Sequence, residues 1–250
     1  MKTSAILVAA AAVIASAACN AEKGNDAAAA TTGAQAQAVA PPAGGDWSQM
    51  VVQTPAGGFM MGNPAAAVKL VEYGSMTCPH CREFDEQGLQ PLIDNYVKKG
   101  QVSFEFRNYV RDPYDLAASL VARCNGAKGF FPLTRAMYKD QPKWIAKLQT
   151  VAPEQQQALS NLGPDRQFLE VAKLAGFQQW AAQRGLPSAK SSACLSNETE
   201  INRLVQLTSD ATTEFPDFSG TPSFTLNGKL VPQAASWKAL EPKLREALGS

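Results

Sequence analysis

The sequence predicts an α/β fold in which a mixed sheet is interrupted by an all-helical insertion. Strand patterns occur at 68–73 and 102–110 and return only at 221–231. Residues 112–213, which lie between them, show helical spacing with Gly and Pro punctuation. The simplest arrangement therefore places the strands from both ends in one sheet and the helices in an insertion.

The composition is that of a globular protein, with 45% hydrophobic and 18% charged residues in a chain of 250. A formal net charge of +1 and the lack of any run of five basic residues offer no electrostatic footprint for nucleic acid. We therefore expect no nucleic-acid partner. The sequence also indicates no organic cofactor.

Residues 1–19 have the pattern of an export signal: a positive start, an apolar run and small residues before Cys19. The apolar run is slightly short for a membrane-spanning helix, which is the weaker alternative. A cysteine at this place is typical of a lipoprotein, in which lipid is attached to the new terminal thiol. Cleavage after Ala17 would instead leave Cys19 as a free thiol. We favour lipidation, which predicts a periplasmic protein anchored to a membrane.

Residues 20–45 are predicted to form a disordered linker, because they hold almost no large apolar side chains to repay the entropy of ordering. The folded region is expected to follow in three parts. A first sheet-containing part spans 46–111, the helical insertion spans 112–213, and a second sheet-containing part spans 214–250.

Each element of the first part follows from a local pattern. β-branched, aromatic or alternating residues predict strands, and a Gly-terminated helical run predicts a helix. The strands are expected near 47–52, 58–61, 68–73 and 102–110, and the helix at 79–97.

The insertion and the carboxyl-terminal part also have periodic patterns. In the insertion, helical stripes are formed by Phe168, Val171, Ala172 and Ala175, and by Ile201, Leu204, Val205 and Thr208. The strand at 221–226 joins 229–231 through Asn227-Gly228, which is a hairpin signal. A closing helix carries Trp237, Leu240 and Leu244 on one face.

Cys78 and Cys81 are the candidate reactive pair. Thiols at this spacing at a helix start can close a disulfide, and the helix start favours the Cys78 thiolate. His80 between them can add a donor or a positive charge. Half of a zinc site is the alternative, but His80 is the only histidine and the other cysteines are isolated.

Two segments carry a family resemblance: Glu72-Tyr-Gly-Ser-Met-Thr-Cys-Pro-His-Cys81 and Gly220-Thr-Pro-Ser-Phe224. Over about 47–248 the sequence resembles the DsbA-type members of the thioredoxin superfamily. The resemblance implies a thioredoxin fold with an inserted all-helical domain and a protein disulfide oxidoreductase activity. The dipeptide Pro79-His80 is the choice typical of the oxidising branch.

The resemblance also implies roles for single residues. Cys78 would be the exposed nucleophile and Cys81 the buried resolving thiol. Thr221-Pro222 would be a cis-proline loop that binds substrate backbone, the alternative being an ordinary proline at a strand start. Glu72 would be a buried acid that moves the proton of Cys81; a solvent-facing glutamate is the alternative.

Cys124 and Cys194 both fall in the helical insertion, and we interpret them as a structural disulfide. The family does not decide this point, because some DsbA-like proteins have a second bridge and others lack it. Two separate buried thiols are the alternative.

Four functions are compatible with these features. The leading one is a dithiol oxidase that acts on reduced secreted proteins and is reoxidised by a membrane redox partner. The second function is a reductase or isomerase on the same fold. Isomerases usually need an added dimerisation domain, and the low-complexity linker shows no sign of one. We expect a monomer. The third is a periplasmic metal-binding module that uses the cysteines with soft methionine ligands, and the fourth is a chaperone without redox turnover. The candidate methionines are Met60, Met61 and Met76, which we expect to be core residues.

Overall fold

The computed structural model describes residues 36–41 and 45–250. The predicted export signal, Cys19 and most of the predicted linker lie outside these residues. Ala36 N donates to Leu248 O at 3.0 Å and Val39 N to Lys99 O at 2.8 Å. The Trp47 indole N–H donates to Val39 O at 2.7 Å. Residues 36–41, although predicted as linker, therefore contact the domain through these hydrogen bonds.

Six strands form one mixed sheet in the order β1-β2-β4-β3-β5-β6. β3 and β4 are parallel, and every other neighbouring pair is antiparallel. The predicted mixed sheet, with strands from both ends of the folded region, is confirmed. The strands are β1 (Val51–Gln53), β2 (Phe59–Gly62), β3 (Val68–Gly74), β4 (Val102–Asn108), β5 (Ser223–Leu226) and β6 (Lys229–Val231).

Strand boundaries differ from the prediction at both ends of the sheet. Trp47–Gln49 is a 3-10 turn rather than strand, because the Asp46 side chain accepts from Ser48 N at 2.8 Å and caps it. β5 begins only at Ser223. Pro222 has no N–H to give to a ladder, which explains this later start.

The first helix, α1, runs from 79 to 97 as Pro79–Phe84, Asp85–Leu89, Gln90–Leu92 and Ile93–Val97. The second and fourth of these segments are π-helical. Pro91 lies between them and lacks the N–H of a regular turn, which accounts for the widened hydrogen bonding. A Cβ on Gly88 would lie 2.8 Å from Trp237 Cβ, so this glycine allows the closing helix to approach.

Eight helices of the described chain lie between β4 and β5, and the closing helix, α10 (Trp237–Ala247), follows β6. Part of the predicted stripe is wrong, because Val205 is 52% exposed while Leu207 and Ala211 are buried. The buried face advances by three or four residues from Ile201 and Leu204 to Leu207 and Ala211. The eight helices are α2 (Pro113–Arg123), α3 (Gly126–Lys139), α4 (Gln141–Gln149), α5 (Pro153–Ser160), α6 (Pro164–Ala175), α7 (Phe177–Ala182), α8 (Ser188–Leu195) and α9 (Glu198–Glu214).

We call residues 113–214 the inserted helical domain. Its core joins the core under the sheet, as in the stacking of Phe130 on Phe59 with ring centroids 4.2 Å apart. Within 36–41 and 45–250, no helix combines the length and the apolar character that crossing a bilayer requires.

Candidate active site

Cys78 is the residue that caps the amino terminus of α1. It has extended backbone angles (φ −81°, ψ 121°), and Pro79 occupies the first helical turn, where a missing N–H costs no hydrogen bond. Cys78 and Cys81 are both free thiols. Cys78 is only 2% exposed, so the expectation of an exposed nucleophile is wrong. The loop that carries Thr221 contacts its sulfur, so a substrate must reach the sulfur at the edge of that loop.

The surroundings of Cys78 lower the pKa of its thiol to about 5. The largest cause is a hydrogen bond from the Cys81 thiol, and further donors are the Thr221 side chain and the backbone N–H groups of Cys81 and His80. Burial opposes the shift by disfavouring the anion. Because the donors prevail, Cys78 is a thiolate at neutral pH.

Cys81 lies one turn into α1 and is fully buried. Burial raises the pKa of its thiol well above the ordinary value, and donation to Cys78 and the charge of Glu72 raise it further. Ser75 N donates to Cys81 Sγ at 3.5 Å. The two thiols therefore have opposite protonation states, which suits one to be a nucleophile or leaving group and the other to hold a proton.

A loop from the far end of the chain faces the pair. The Thr221–Pro222 peptide bond is cis, and Cys78 Sγ lies 3.1 Å from Thr221 O, to which the thiol donates only when it is protonated. Gly220 has φ +129°, a conformation that favours glycine. The loop thus brings backbone groups to the sulfur at which exchange would occur.

The side chain of His80 faces solvent and is 71% exposed. Its Nδ1 lies 3.5 Å from Glu83 Oε2. The contribution of His80 to the Cys78 thiolate in this structure is its backbone N–H.

Two acids lie buried near Cys81. Glu72 is 3% exposed, as β3 places it inside rather than toward solvent, and its Oε1 has no hydrogen-bond partner among the described residues. Burial raises the pKa of Glu72 well above its usual range, and the charges of Asp85 and Cys78 raise it further. Burial also raises the pKa of Asp85 to about 6, against the opposing charge of Arg135. Burial therefore favours the protonated form of Glu72, which is the form that can donate a proton to a departing Cys81 thiolate.

Asp85 was missed from sequence, although a signal existed. It lies four residues after Cys81, so both side chains fall on the same face of α1. Arg135 Nε of α3 lies 3.9 Å from Asp85 Oδ1. This contact depends on the inserted helical domain and could not be read from local spacing.

The remaining predicted residues lie elsewhere. Cys124 and Cys194 are joined by a disulfide, with their Cα atoms 5.7 Å apart. Met61 and Met76 are buried, and Met60 is half-buried. In the described part of the chain, no group of three or more His, Cys, Asp or Glu side chains is arranged to hold a metal ion.

These features together define a class of site. A thiolate at a helix start, a protonated buried thiol one turn later and a facing cis-proline loop form a thiol-disulfide exchange site on a thioredoxin fold. The sequence pattern of the family described as Thioredoxin matches residues 54–245. The chain belongs to this family.

Solved structures agree with the fold. The chain is similar to a protein-disulfide isomerase from Novosphingobium aromaticivorans, with 34% identity, a TM-score of 0.73, and coverage of 76% of this chain and 97% of the other. It also has the fold of Wolbachia pipientis alpha-DsbA1, with 18% identity, a TM-score of 0.62, and coverage of 79% and 94%.

Curated relatives are similar over part of their length. A Rickettsia bellii protein provisionally named a protein-disulfide oxidoreductase is 28% identical over 171 residues, which are 68% of this chain and 57% of that relative. A Rickettsia prowazekii protein with a similar provisional name is 27% identical over 68% of this chain and 54% of its own length. The chain thus spans about half the length of the curated relatives it matches.

Proposed function

We propose that this protein is a protein disulfide oxidoreductase that donates its Cys78–Cys81 disulfide to reduced exported proteins. The observation that carries the proposal is the Cys78 sulfur at the start of α1, where four donors favour its thiolate. A couple whose reduced form is stabilised in this way gives its disulfide away.

The exchange follows in two steps. A substrate thiolate attacks Cys78 Sγ in the disulfide, a mixed disulfide forms, and the Cys81 sulfur leaves with the bonding electron pair and takes up a proton. The second substrate thiolate then attacks the substrate sulfur of the mixed disulfide and releases Cys78 as a thiolate. The substrate loses two electrons, and the Cys78–Cys81 pair gains them.

The size of the driving force follows from the pKa of Cys78. At pH 7, a thiol with a pKa of about 5 stabilises the dithiol form by about 2.7 kcal/mol, because only the part of the shift below ambient pH counts. For a two-electron couple this corresponds to roughly 60 mV toward a more oxidising potential. The thiolate therefore supports the oxidising direction over the reducing one.

The setting of the reaction is part of the proposal. The signal pattern at 1–19 and the cysteine at its end support an exported, periplasmic protein anchored through lipid on Cys19. Turnover as an oxidase requires a membrane redox partner that reoxidises the pair by accepting its two electrons. We propose that the protein acts as a monomer.

One observation favours a second candidate, a disulfide isomerase. The Novosphingobium aromaticivorans structure that is 34% identical to this chain carries the name protein-disulfide isomerase. An isomerase also uses a Cys78 thiolate, but its couple stays largely reduced in the exporting compartment. The two functions therefore differ in redox equilibrium rather than in active-site residues.

The test is the equilibrium of the pair with reduced and oxidised glutathione, followed by oxidation of a reduced peptide substrate. We expect a strongly oxidising couple and rapid peptide oxidation, and we expect Cys78→Ser to abolish exchange. A couple as reducing as that of a cytosolic thioredoxin would exclude the oxidase and favour the second candidate. Peptide oxidation at an unchanged rate in Cys78→Ser would exclude any role for the pair.

A further inference from the structure

The turn that precedes Cys78 is held by side chains of the inserted helical domain, together with Arg111 and Asp112 just before it. We call residues 75–77 the active-site turn. Its one backbone hydrogen bond to the pair's own segment is Cys78 N to Ser75 O at 3.1 Å. Asp115 of α2 is 0% exposed and accepts from Ser75 Oγ at 2.6 Å and from Met76 N at 2.8 Å. One carboxylate thus fixes two donors of the turn.

Two further side chains of the inserted helical domain bind the carbonyls of the same segment. Gln141 Nε2 donates to Met76 O at 2.7 Å and to Cys78 O at 3.0 Å. Tyr138 OH donates to Ser75 O at 3.1 Å. Three polar backbone atoms of the turn therefore have partners in the inserted helical domain: Met76 N on α2, Ser75 O on α3 and Met76 O on α4.

Arg111 and Asp112 close the outer side of this network. Arg111 donates from Nε to Ser75 Oγ at 2.9 Å and from Nη2 to Thr77 Oγ1 at 3.0 Å. Its backbone N–H donates to Asp115 Oδ2 at 3.1 Å. Asp112 caps α2 and accepts from Thr77 Oγ1 at 3.0 Å. A buried carboxylate is costly without partners, and here both oxygens of Asp115 have them.

The network reaches the reacting sulfurs through Ser75. The N–H of Ser75 donates to Cys81 Sγ at 3.5 Å, and the Cys81 thiol in turn donates to the Cys78 thiolate. Displacement of Ser75 would therefore change the direction in which the Cys81 S–H points. The hydrogen bond from Cys81 is the largest of the interactions that favour the Cys78 thiolate.

We propose that Asp115 is a positioning residue for thiol-disulfide exchange, which holds the active-site turn so that Cys81 donates its S–H to Cys78. This inference rests on the proposed function and deepens it. It assigns the inserted helical domain a role in setting the redox equilibrium of the pair. Asp115 touches neither sulfur, so its effect passes through Ser75.

The test is Asp115→Asn in the full chain, measured by titration of thiolate absorbance and by equilibrium with glutathione. The asparagine side chain has the size of aspartate, but its NH2 group is a donor and would face Ser75 Oγ or Met76 N, which are donors themselves. We expect the Cys78 titration midpoint to rise by about one pH unit and the equilibrium to become about tenfold less oxidising. Ser75→Ala removes one hydroxyl and no charge, so it supplies the same test with about half the shift should Asp115→Asn not fold.

Glu105→Gln is the matched control, because Glu105 is also a buried carboxylate but its partners are Thr54 and Arg107. We expect it to lower stability without moving the thiol titration. Two results would overturn this inference but leave the proposed function intact. One is a folded Asp115→Asn with unchanged Cys78 titration midpoint and glutathione equilibrium, and the other is an equal shift of both in Glu105→Gln. A wild-type Cys78 that titrates near its ordinary value would overturn the proposed function together with it.

Discussion

We propose that two buried acids near Cys81 supply its proton during exchange. When a substrate thiolate attacks Cys78, Cys81 leaves as an anion in a site that penalises anions, so it needs a proton in the same step. Burial raises the pKa of Glu72 well above its usual range and so favours its protonated form. Glu72 is therefore the proposed donor, and the charge of Asp85, whose own pKa burial raises to about 6, raises the pKa of Glu72 further.

Glu72→Gln tests this proton transfer. The amide keeps the shape of the side chain but cannot donate an acidic proton, so we expect mixed-disulfide formation with a model peptide to slow by at least roughly tenfold at neutral pH. The measurement is stopped-flow reaction of the oxidised protein with excess reduced peptide.

Glu105→Gln again provides the control, since it removes a buried carboxylate that bonds Arg107 and Thr54. Its exchange rate should match that of the wild type. Equal rates in Glu72→Gln and the wild type from pH 6 to pH 8 would show that water delivers the proton and that Glu72 has no part in exchange.

A site residue could be predicted from the sequence where it lies in a short local motif, and not where its role depends on a tertiary contact. Cys78 and Thr221 are 143 positions apart, yet each lies in its own short motif, so both could be found. Asp115 and Gln141 carry no motif, because their role arises only when the inserted helical domain packs on the active-site turn. Asp85 lies between these cases, as its helical spacing from Cys81 was legible.

At the scale of single elements, the local sequence pattern predicted the long helix and the central strands. It failed where a tertiary contact determines the local structure. Trp47–Gln49 was predicted as strand, but the Asp46 cap folds it into a turn whose indole reaches Val39 O. Val205 was assigned to a buried stripe, but α9 packs through Leu204 and Leu207. An apolar pattern alone does not decide which of two adjacent residues on a helix faces the core.

The Cys124–Cys194 disulfide ties the end of α2 to α8, and its expected role is structural. The two residues are 70 positions apart, so loss of the bridge should lower the free energy of unfolding by roughly 2 to 4 kcal/mol through the entropy of the unfolded chain. The variant is Cys124→Ser with Cys194→Ser. Urea unfolding followed by circular dichroism measures the change.

The thiol titration of Cys78 is the control for this variant, and its midpoint should not move. Neither half-cystine contacts the active-site turn, since Cys124 Sγ and Cys194 Sγ face the backbone of Lys190 and of Cys124. A variant with full stability, or one with a shifted Cys78 midpoint, would contradict a purely structural bridge.

At the scale of the molecule, the fold brings one end of the chain onto the other. β5 pairs with β3 across the helical insertion, and this pairing sets Thr221 against Cys78. The inserted helical domain then covers the turn before Cys78 through Asp115 and Gln141. The redox state of one thiol is therefore coupled to the stability of the whole domain.

This coupling predicts a pH dependence. The pKa of Cys78 is depressed in the folded reduced protein to about 5, below its value of roughly 8.5 in an unfolded chain. The thiolate therefore stabilises the reduced fold above that unfolded value, and the stabilisation is lost as pH falls through 5. At pH 7 it amounts to about 2.7 kcal/mol.

We therefore expect the difference in unfolding free energy between the reduced and oxidised proteins to fall by about 2.5 kcal/mol between pH 7 and pH 4.5, in favour of the oxidised form. Asp85 and Asp115, whose pKa values burial raises to about 6 and about 7, titrate in the same window. Both aspartates are present in the reduced and the oxidised protein, so their effects cancel in the difference and the remaining pH dependence is that of Cys78. Cys78→Ser provides the control. It cannot form the bridge, and its unfolding free energy should lack the pH dependence that Cys78 gives the reduced wild type. A difference that stays constant with pH would mean that the thiolate contributes nothing to the fold.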